Sequence, residues 1–277
     1  MNKIFLAAIA LFLFFPFADV NAQETINVPD TLVGWKYQWV ANLNGTQAQY
    51  SNWSPVGVSS VSATAGSSVS GKYRKDRYSY GFIINFNYGR ARIDNQGVRK
   101  TDDRIAIRNR WTYTIPYEGS HVKLFATAGF ISQFDQGFEY EKGPNNTDIK
   151  ISDFLAPGYI TQNAGLEYAP NEAISFDAGL AMKQTIVTID SLATLYGVKE
   201  GENFRNEAGF GFSIDFEKEI AKNVSLASQF GSFTNINRSL RSTDFIWVNQ
   251  FTGKINSTIN TVFQFDIMYD DDFSTEL

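Results

Sequence analysis

The sequence predicts an all-β chain, an antiparallel up-and-down transmembrane β-barrel of about 11–12 strands. Three observations predict it. The run from Tyr78 to Tyr88 alternates between large apolar and mostly polar or small side chains, with tyrosines at both ends. The connections between such runs alternate short and long. The chain also opens on an export address.

The address comes first. Lys3 supplies a positive start, Ile4 to Phe17 an apolar stretch, and Val20-Asn21-Ala22 a small-residue cleavage site. Residues 1–22 read as a secretory signal peptide, and residues 23–277 as one outer-membrane β-barrel domain. The apolar stretch is short for a membrane helix. There is no cysteine, which in an exported chain suits a Gram-negative envelope protein.

Strands are expected near 35–50, 58–71, 77–88, 103–115, 121–134, 158–169, 173–187, 204–218, 223–235, 244–254 and 257–269. In the third, Tyr78, Tyr80, Phe82, Ile84, Phe86 and Tyr88 share one face and Ser79, Gly81, Ile83, Asn85 and Asn87 the other. In the fourth, Ile105, Ile107, Trp111 and Tyr113 oppose Arg104, Arg108 and Arg110. The fifth alternates poorly. In the seventh, Phe176, Leu180 and Met182 oppose Asp177 and Lys183. In the eighth, Phe210, Phe212 and Phe216 oppose Gly211, Asp215 and Glu217. In the last, Phe263, Phe265, Ile267 and Tyr269 oppose Gln264 and Asp266.

Short connections near 71–76, 116–120, 169–172, 219–222 and 254–256 alternate with longer ones near 51–57, 89–102, 135–157, 188–203 and 236–243. Outer-membrane barrels are wired this way, although a barrel in water can be too. Eleven strands is an odd number, whereas bacterial single-chain barrels have even numbers. Either two strands are merged or one is unseen in this reading, or the chain stops a strand short.

Composition narrows function. A net charge of −5 with no basic stripe argues against nucleic acid as a partner. Aromatic residues make up 15% of the chain while mean hydropathy is only −0.22, as an apolar exterior averaged with a polar lumen would give. His121 is the only histidine, so neither a catalytic triad nor a zinc site is readable, and no catalytic residue, metal or cofactor is expected. Asp102-Asp103 and Asp270-Asp271-Asp272 lack the ligand spacing and glycine of a calcium loop and read as solvated charge.

The candidate lumen-lining residues are Arg104, Arg108, Arg110, Asp177, Lys183, Asp215 and Glu217. The basic cluster and the carboxylates are expected to face one another and form ion pairs, a narrow charge-lined passage being the sharper alternative. The candidate membrane-interface aromatics are Tyr78, Tyr80, Tyr88, Trp111, Tyr113 and Tyr269.

Four stretches occur in order: Gln47 to Trp53 (QAQYSNW), Arg99 to Asp103 (RKTDD), Ser152 to Tyr159 (SDFLAPGY) and Tyr269 to Asp272 (YDDD). Together they resemble a family of uncharacterised exported proteins from Bacteroidota, a domain of unknown function. The resemblance implies an outer-membrane β-barrel, with no activity, ligand or catalytic residue to carry over. It also implies one more strand after Tyr269-Asp270-Asp271-Asp272, ending in an aromatic residue, where this chain stops at Leu277.

The expectation is a monomeric, non-enzymatic, porin-like protein in the outer membrane of a Gram-negative bacterium. It would act as a narrow pore or as a structural or surface-interaction protein. Its partners would be outer-membrane lipid and, during insertion, the barrel-assembly machinery. One alternative is a soluble exported barrel that binds a ligand. Another is an outer-membrane lipid hydrolase using His121.

Overall fold

A computed structural model describes residues 26–49, 58–117, 119, 121–238, 243–256 and 259–269. The signal peptide, the end of the Gln47 to Trp53 stretch and Asp270-Asp271-Asp272 lie outside the described residues.

Alternation of large and small or polar side chains builds one long meander. Its first strands are β1 (Gly34–Ala48), β2 (Ser60–Lys75), β3 (Tyr78–Ile93), β4 (Gly97–Thr114) and β5 (Val122–Ser132). A small hairpin follows, β6 (Gly137–Glu139) and β7 (Ile149–Ser152). The meander resumes with β8 (Gly158–Asn171), β9 (Ile174–Ile186), β10 (Phe204–Ala221), β11 (Val224–Asn235), β12 (Thr243–Lys254) and β13 (Asn260–Tyr269). Apart from the two-stranded β6–β7 sheet, all belong to one 11-stranded sheet in sequence order, and every neighbouring pair is antiparallel.

The sheet is open. Within it, β1 bonds only to β2 and β13 only to β12. An antiparallel meander with an odd number of strands sends its first and last strands the same way. The antiparallel pairing used at every other seam is therefore unavailable between them. This corrects the expected transmembrane barrel. Two strand edges with unpaired N–H and C=O groups cannot be satisfied in hydrocarbon, where no water reaches them. The same finding removes the porin-like pore, the outer-membrane location, and outer-membrane lipid and the barrel-assembly machinery as partners.

Open does not mean flat. Arg110 lies on the hydrogen-bonded row that runs through Thr127 and Asn163 to Ala181, four residues along β9 from Asp177. In a flat sheet Arg110 and Asp177 would sit on the order of 19 Å apart, yet their side chains meet at 2.8 Å. The sheet coils, and three inward glycines mark the bend. A Cβ on Gly165 would lie 2.0 Å from the Ala178 carbonyl oxygen, one on Gly179 2.3 Å from that of Ala164, and one on Gly209 2.1 Å from that of Thr234. Only glycine allows neighbouring backbones to approach so closely.

The coil gives each strand a concave and a convex face. On β3, Ser79, Gly81 and Ile83 are buried on the concave side, while Tyr78 and Phe86 are exposed on the other. The large side chains therefore point outward, with Trp39 still 72% exposed.

Two features were not expected. The connection read as a long loop over 89–102 is mostly strand: β3 and β4 continue to a tight turn with Asn95 at φ 65° and Gly97 at φ 77°. The charged residues there looked like loop, but the backbone pairing continues through them. The chain from Ile26 to Leu32 also crosses the concave face of β2 and β3. Ile26 and Val28 pack on Ile83, in space kept by Gly81, whose Cβ would meet Ile26 at 2.2 Å. Arg74 donates to the carbonyls of Val28 (2.8 Å) and Pro29 (2.9 Å) and pairs with Asp30.

Candidate functional site: the cavity of the concave face

The coil bounds a half-open cavity of about 420 Å³ lined from β4 round to β13. Its apolar wall includes Phe125, Ile131, Phe233, Ile246 and Val248, and Ile26 of the N-terminal segment touches it. Gly179 pairs directly with Gly211, which lines the cavity, across β9 and β10. The Asn163 amide occupies the space that side chains at these two positions would need.

At one side lies a charged network. Arg110 donates twice to Asp177 (2.8 and 3.1 Å) and once to Glu167 (2.7 Å), and Lys123 donates to Glu167 (3.0 Å). The Arg110 guanidinium also sits over the Phe125 ring at 4.9 Å. Burial works against its charge, but the two carboxylates outweigh that and raise its pKa. Burial lifts Asp177 above the usual carboxylate range in spite of Arg110. Glu167 is also penalised by burial, but two cations face it, and its pKa falls. Such buried pairs persist only when both charges stay compensated.

Across the cavity Lys183 donates to Asp244 at 2.6 Å and lies 5.0 Å from the centre of the Phe233 ring. The charged side chains of the lining are thus Arg108, Arg110 and Lys183 against Asp177, Asp215 and Asp244. Three positive and three negative charges leave no formal excess. The lining suits an uncharged, partly apolar molecule.

The sequence candidates divide. Arg108, Arg110, Asp177, Lys183 and Asp215 line this cavity, whereas Arg104, half-buried further along β4, and Glu217, exposed towards the end of β10, do not. The aromatics all take convex register positions, and Tyr269, on the edge strand, also borders the cavity. Tyr80 stacks on Trp111 at 5.2 Å and Tyr78 meets Tyr113 at 4.8 Å near the short turns. Tyr88 lies at the opposite end, where its hydroxyl donates to Asp135, and Tyr269 stacks on Phe245 at 5.7 Å. His121 is exposed in the β4–β5 turn, away from the cavity lining. Among the described residues no three His, Cys, Asp or Glu side chains gather as a metal site.

Sequence reasoning missed a small cap at the end of the sheet where the longer connections lie. Ala156, Val187, Leu192, Ala193 and Val198 form its core, and the Tyr196 hydroxyl donates to the Ile151 carbonyl at 2.6 Å. Two quoted motifs build this end. Asp103 accepts the N–H groups of Phe134 (3.0 Å) and Asp135 (2.8 Å) and pairs with Lys100. Ser132 donates to the Pro157 carbonyl and accepts the Leu155 N–H, which fastens the Ser152 to Tyr159 stretch. The motifs were visible as residues, but their joint anchoring role depends on contacts between distant loops.

The fold and cavity define a class: an open, coiled antiparallel sheet with an electrically balanced internal site. Residues 46–138, about a third of the chain, match a family described as Protein of unknown function (DUF3078). The matched stretch contains Gln47 to Trp53 and Arg99 to Asp103 but neither Ser152 to Tyr159 nor Tyr269 to Asp272. It bears on neither an origin in Bacteroidota nor a location in an outer membrane. No curated protein matches the chain.

Proposed function

We propose that this is an exported, non-enzymatic binding protein that takes an uncharged, partly apolar small molecule into the concave face of its sheet. The observation that carries the reading is the cavity of about 420 Å³ whose six charged side chains sum to zero. Ligand pockets are concave, mostly apolar and fitted with a few convergent polar groups. Export is supported by Lys3, the apolar stretch Ile4 to Phe17 and the Val20-Asn21-Ala22 site. A binding role without catalysis is supported by the position of His121, exposed and outside the cavity lining.

The neutral fluorophore N-phenyl-1-naphthylamine tests this reading. It should bind saturably, at least tenfold more tightly than the anionic 1-anilinonaphthalene-8-sulfonate. Gly231→Leu should weaken it at least tenfold, because the nearest atom to a Cβ at Gly231 is 3.6 Å away and the added side chain enters the cavity without a backbone clash. Equal affinity for the two dyes, or binding untouched by Gly231→Leu, would sink the proposal.

A further inference from the structure

The edge of β13 carries a specific self-complementarity. Every residue from Asn260 to Tyr269 is exposed, and among the described strands β12 alone hydrogen-bonds to β13. Edge strands in stable monomers are usually blunted by proline, lysine or a bulge. None of these interrupts Asn260–Tyr269. Thr261, Phe263, Phe265, Ile267 and Tyr269 continue the convex face, and Asn260, Val262, Gln264, Asp266 and Met268 the concave one.

We propose that β13 pairs antiparallel with β13 of a second copy of this chain, about a two-fold axis at Phe265. In that register Phe265 faces its own copy and Phe263 faces Ile267. Val262 faces Met268 and Gln264 faces Asp266. Apolar residues meet apolar ones, and the Gln264 amide, which donates to Asp266 of its own strand at 3.0 Å, comes to face the other copy's Asp266 as well. Identical patches that complement themselves are what a two-fold interface requires.

Neighbouring registers are worse. Centring on Asp266 sets two like carboxylates opposite each other, which destabilises a sheet. Centring on Gln264 sets Val262 against Asp266 and Asn260 against Met268. A one-residue slip joins the apolar face of one copy to the polar face of the other. The other free edge is less suited, because β1 places Asn42, Asn44 and Gly45 in its second half, residue types that strands disfavour. The unit proposed is a pair of copies, where the sequence reading expects a monomer.

The full chain has no cysteine, so single-cysteine variants report the register without background. Under mild oxidation Phe265→Cys should give a covalent dimer at least tenfold faster than Phe263→Cys alone. Phe263→Cys mixed with Ile267→Cys should cross-link as Phe265→Cys does. Sedimentation equilibrium should show two chains of 31.1 kDa. Gln264→Glu should raise the dissociation constant at least tenfold by facing Asp266, and adding Asp266→Lys should restore it. A single-chain mass at every concentration, assembly beyond two chains, or equal self-cross-linking at 263 and 265 would overturn the proposal.

Discussion

Arg110 on β4 holds Asp177 on β9 at 2.8 Å, although β5 and β8 lie between their strands. That contact closes the distance that a flat sheet would leave open. It joins the charge network to the curvature and makes Arg110 a residue on which the concave face depends.

Replacing Arg110 by methionine should therefore be costly. It keeps much of the side-chain volume but strands Asp177 and leaves Glu167 with only Lys123. Removing one partner of a buried pair costs about 3–5 kcal/mol, and side-chain exposures of 11% for Arg110 and 5% for Asp177 place this pair in that class. Urea unfolding at neutral pH should show a loss of that order. A change below about 1 kcal/mol, the range of exposed pairs, would show that the contact does not hold the coil together.

Acidification should act on the cavity through Asp177. Its raised pKa means that it takes up a proton before carboxylates with ordinary values. The balanced lining then gains one positive charge. Affinity for 1-anilinonaphthalene-8-sulfonate should rise as pH falls, while affinity for the neutral dye stays nearly constant. Asp177→Asn should bind the anion more tightly already at neutral pH and lose the pH step. An unchanged step in that variant would assign it to another group.

Asp135 should contribute to acid stability with the opposite sign. Its hydrogen bond from Tyr88, then that from Arg90, holds its pKa at about 2, below the ordinary 3.8. A depressed carboxylate stabilises the fold above its unfolded value. That contribution is lost as pH falls from about 3.8 through about 2. Asp135→Asn should flatten the stability profile in this window and leave it unchanged between pH 6 and 8. Urea midpoints taken across both ranges measure the difference.

The N-terminal segment should be released by Arg74→Ala. The substitution removes the donors to the Val28 and Pro29 carbonyls, two bonds to a charged group worth about 1.5–3 kcal/mol each. Limited proteolysis should then cut between Ile26 and Leu32 faster than in the parent chain, with the sheet left intact by circular dichroism. Gly81→Val should do the same by filling the place of Ile26. Unchanged cleavage in both variants would show that the segment is held by other contacts.

Gly165 and Gly231 should respond oppositely. Gly165→Ala drives a Cβ to 2.0 Å from the Ala178 carbonyl oxygen and 2.5 Å from the Gly179 Cα. Neither atom belongs to a flexible side chain, so the strands must part. Gly231→Ala meets only Ile246, at 3.6 Å. Thermal unfolding should show a drop of at least 5 °C for the first, roughly the effect of 1 kcal/mol in a domain smaller than this one. The second should melt within about 2 °C of the parent, since changes away from strained or packed sites are usually small.

Much of the wall was legible from residues such as Phe82 and Asn85, because neighbouring side chains on a strand must take opposite faces. The meander and its turns followed from the same alternation. The extension of β3 and β4 was not legible, since Arg99 to Asp103 carries loop-like charge while its backbone stays paired. Arg108, Arg110, Asp177, Lys183 and Asp215 could be chosen by their face. Their division from Arg104 and Glu217 could not, because it depends on where along each strand the sheet bends.

By itself the sequence determined that this chain is all-β and which side of each strand carries its large residues. These are local properties, repeated every two residues along the backbone. Only the tertiary structure decided that the edges stay apart, that Arg110 reaches Asp177, and that Ile26 lies against Ile83. Those outcomes depend on how far eleven strands coil and stagger together, a sum over the whole sheet that no single strand contains.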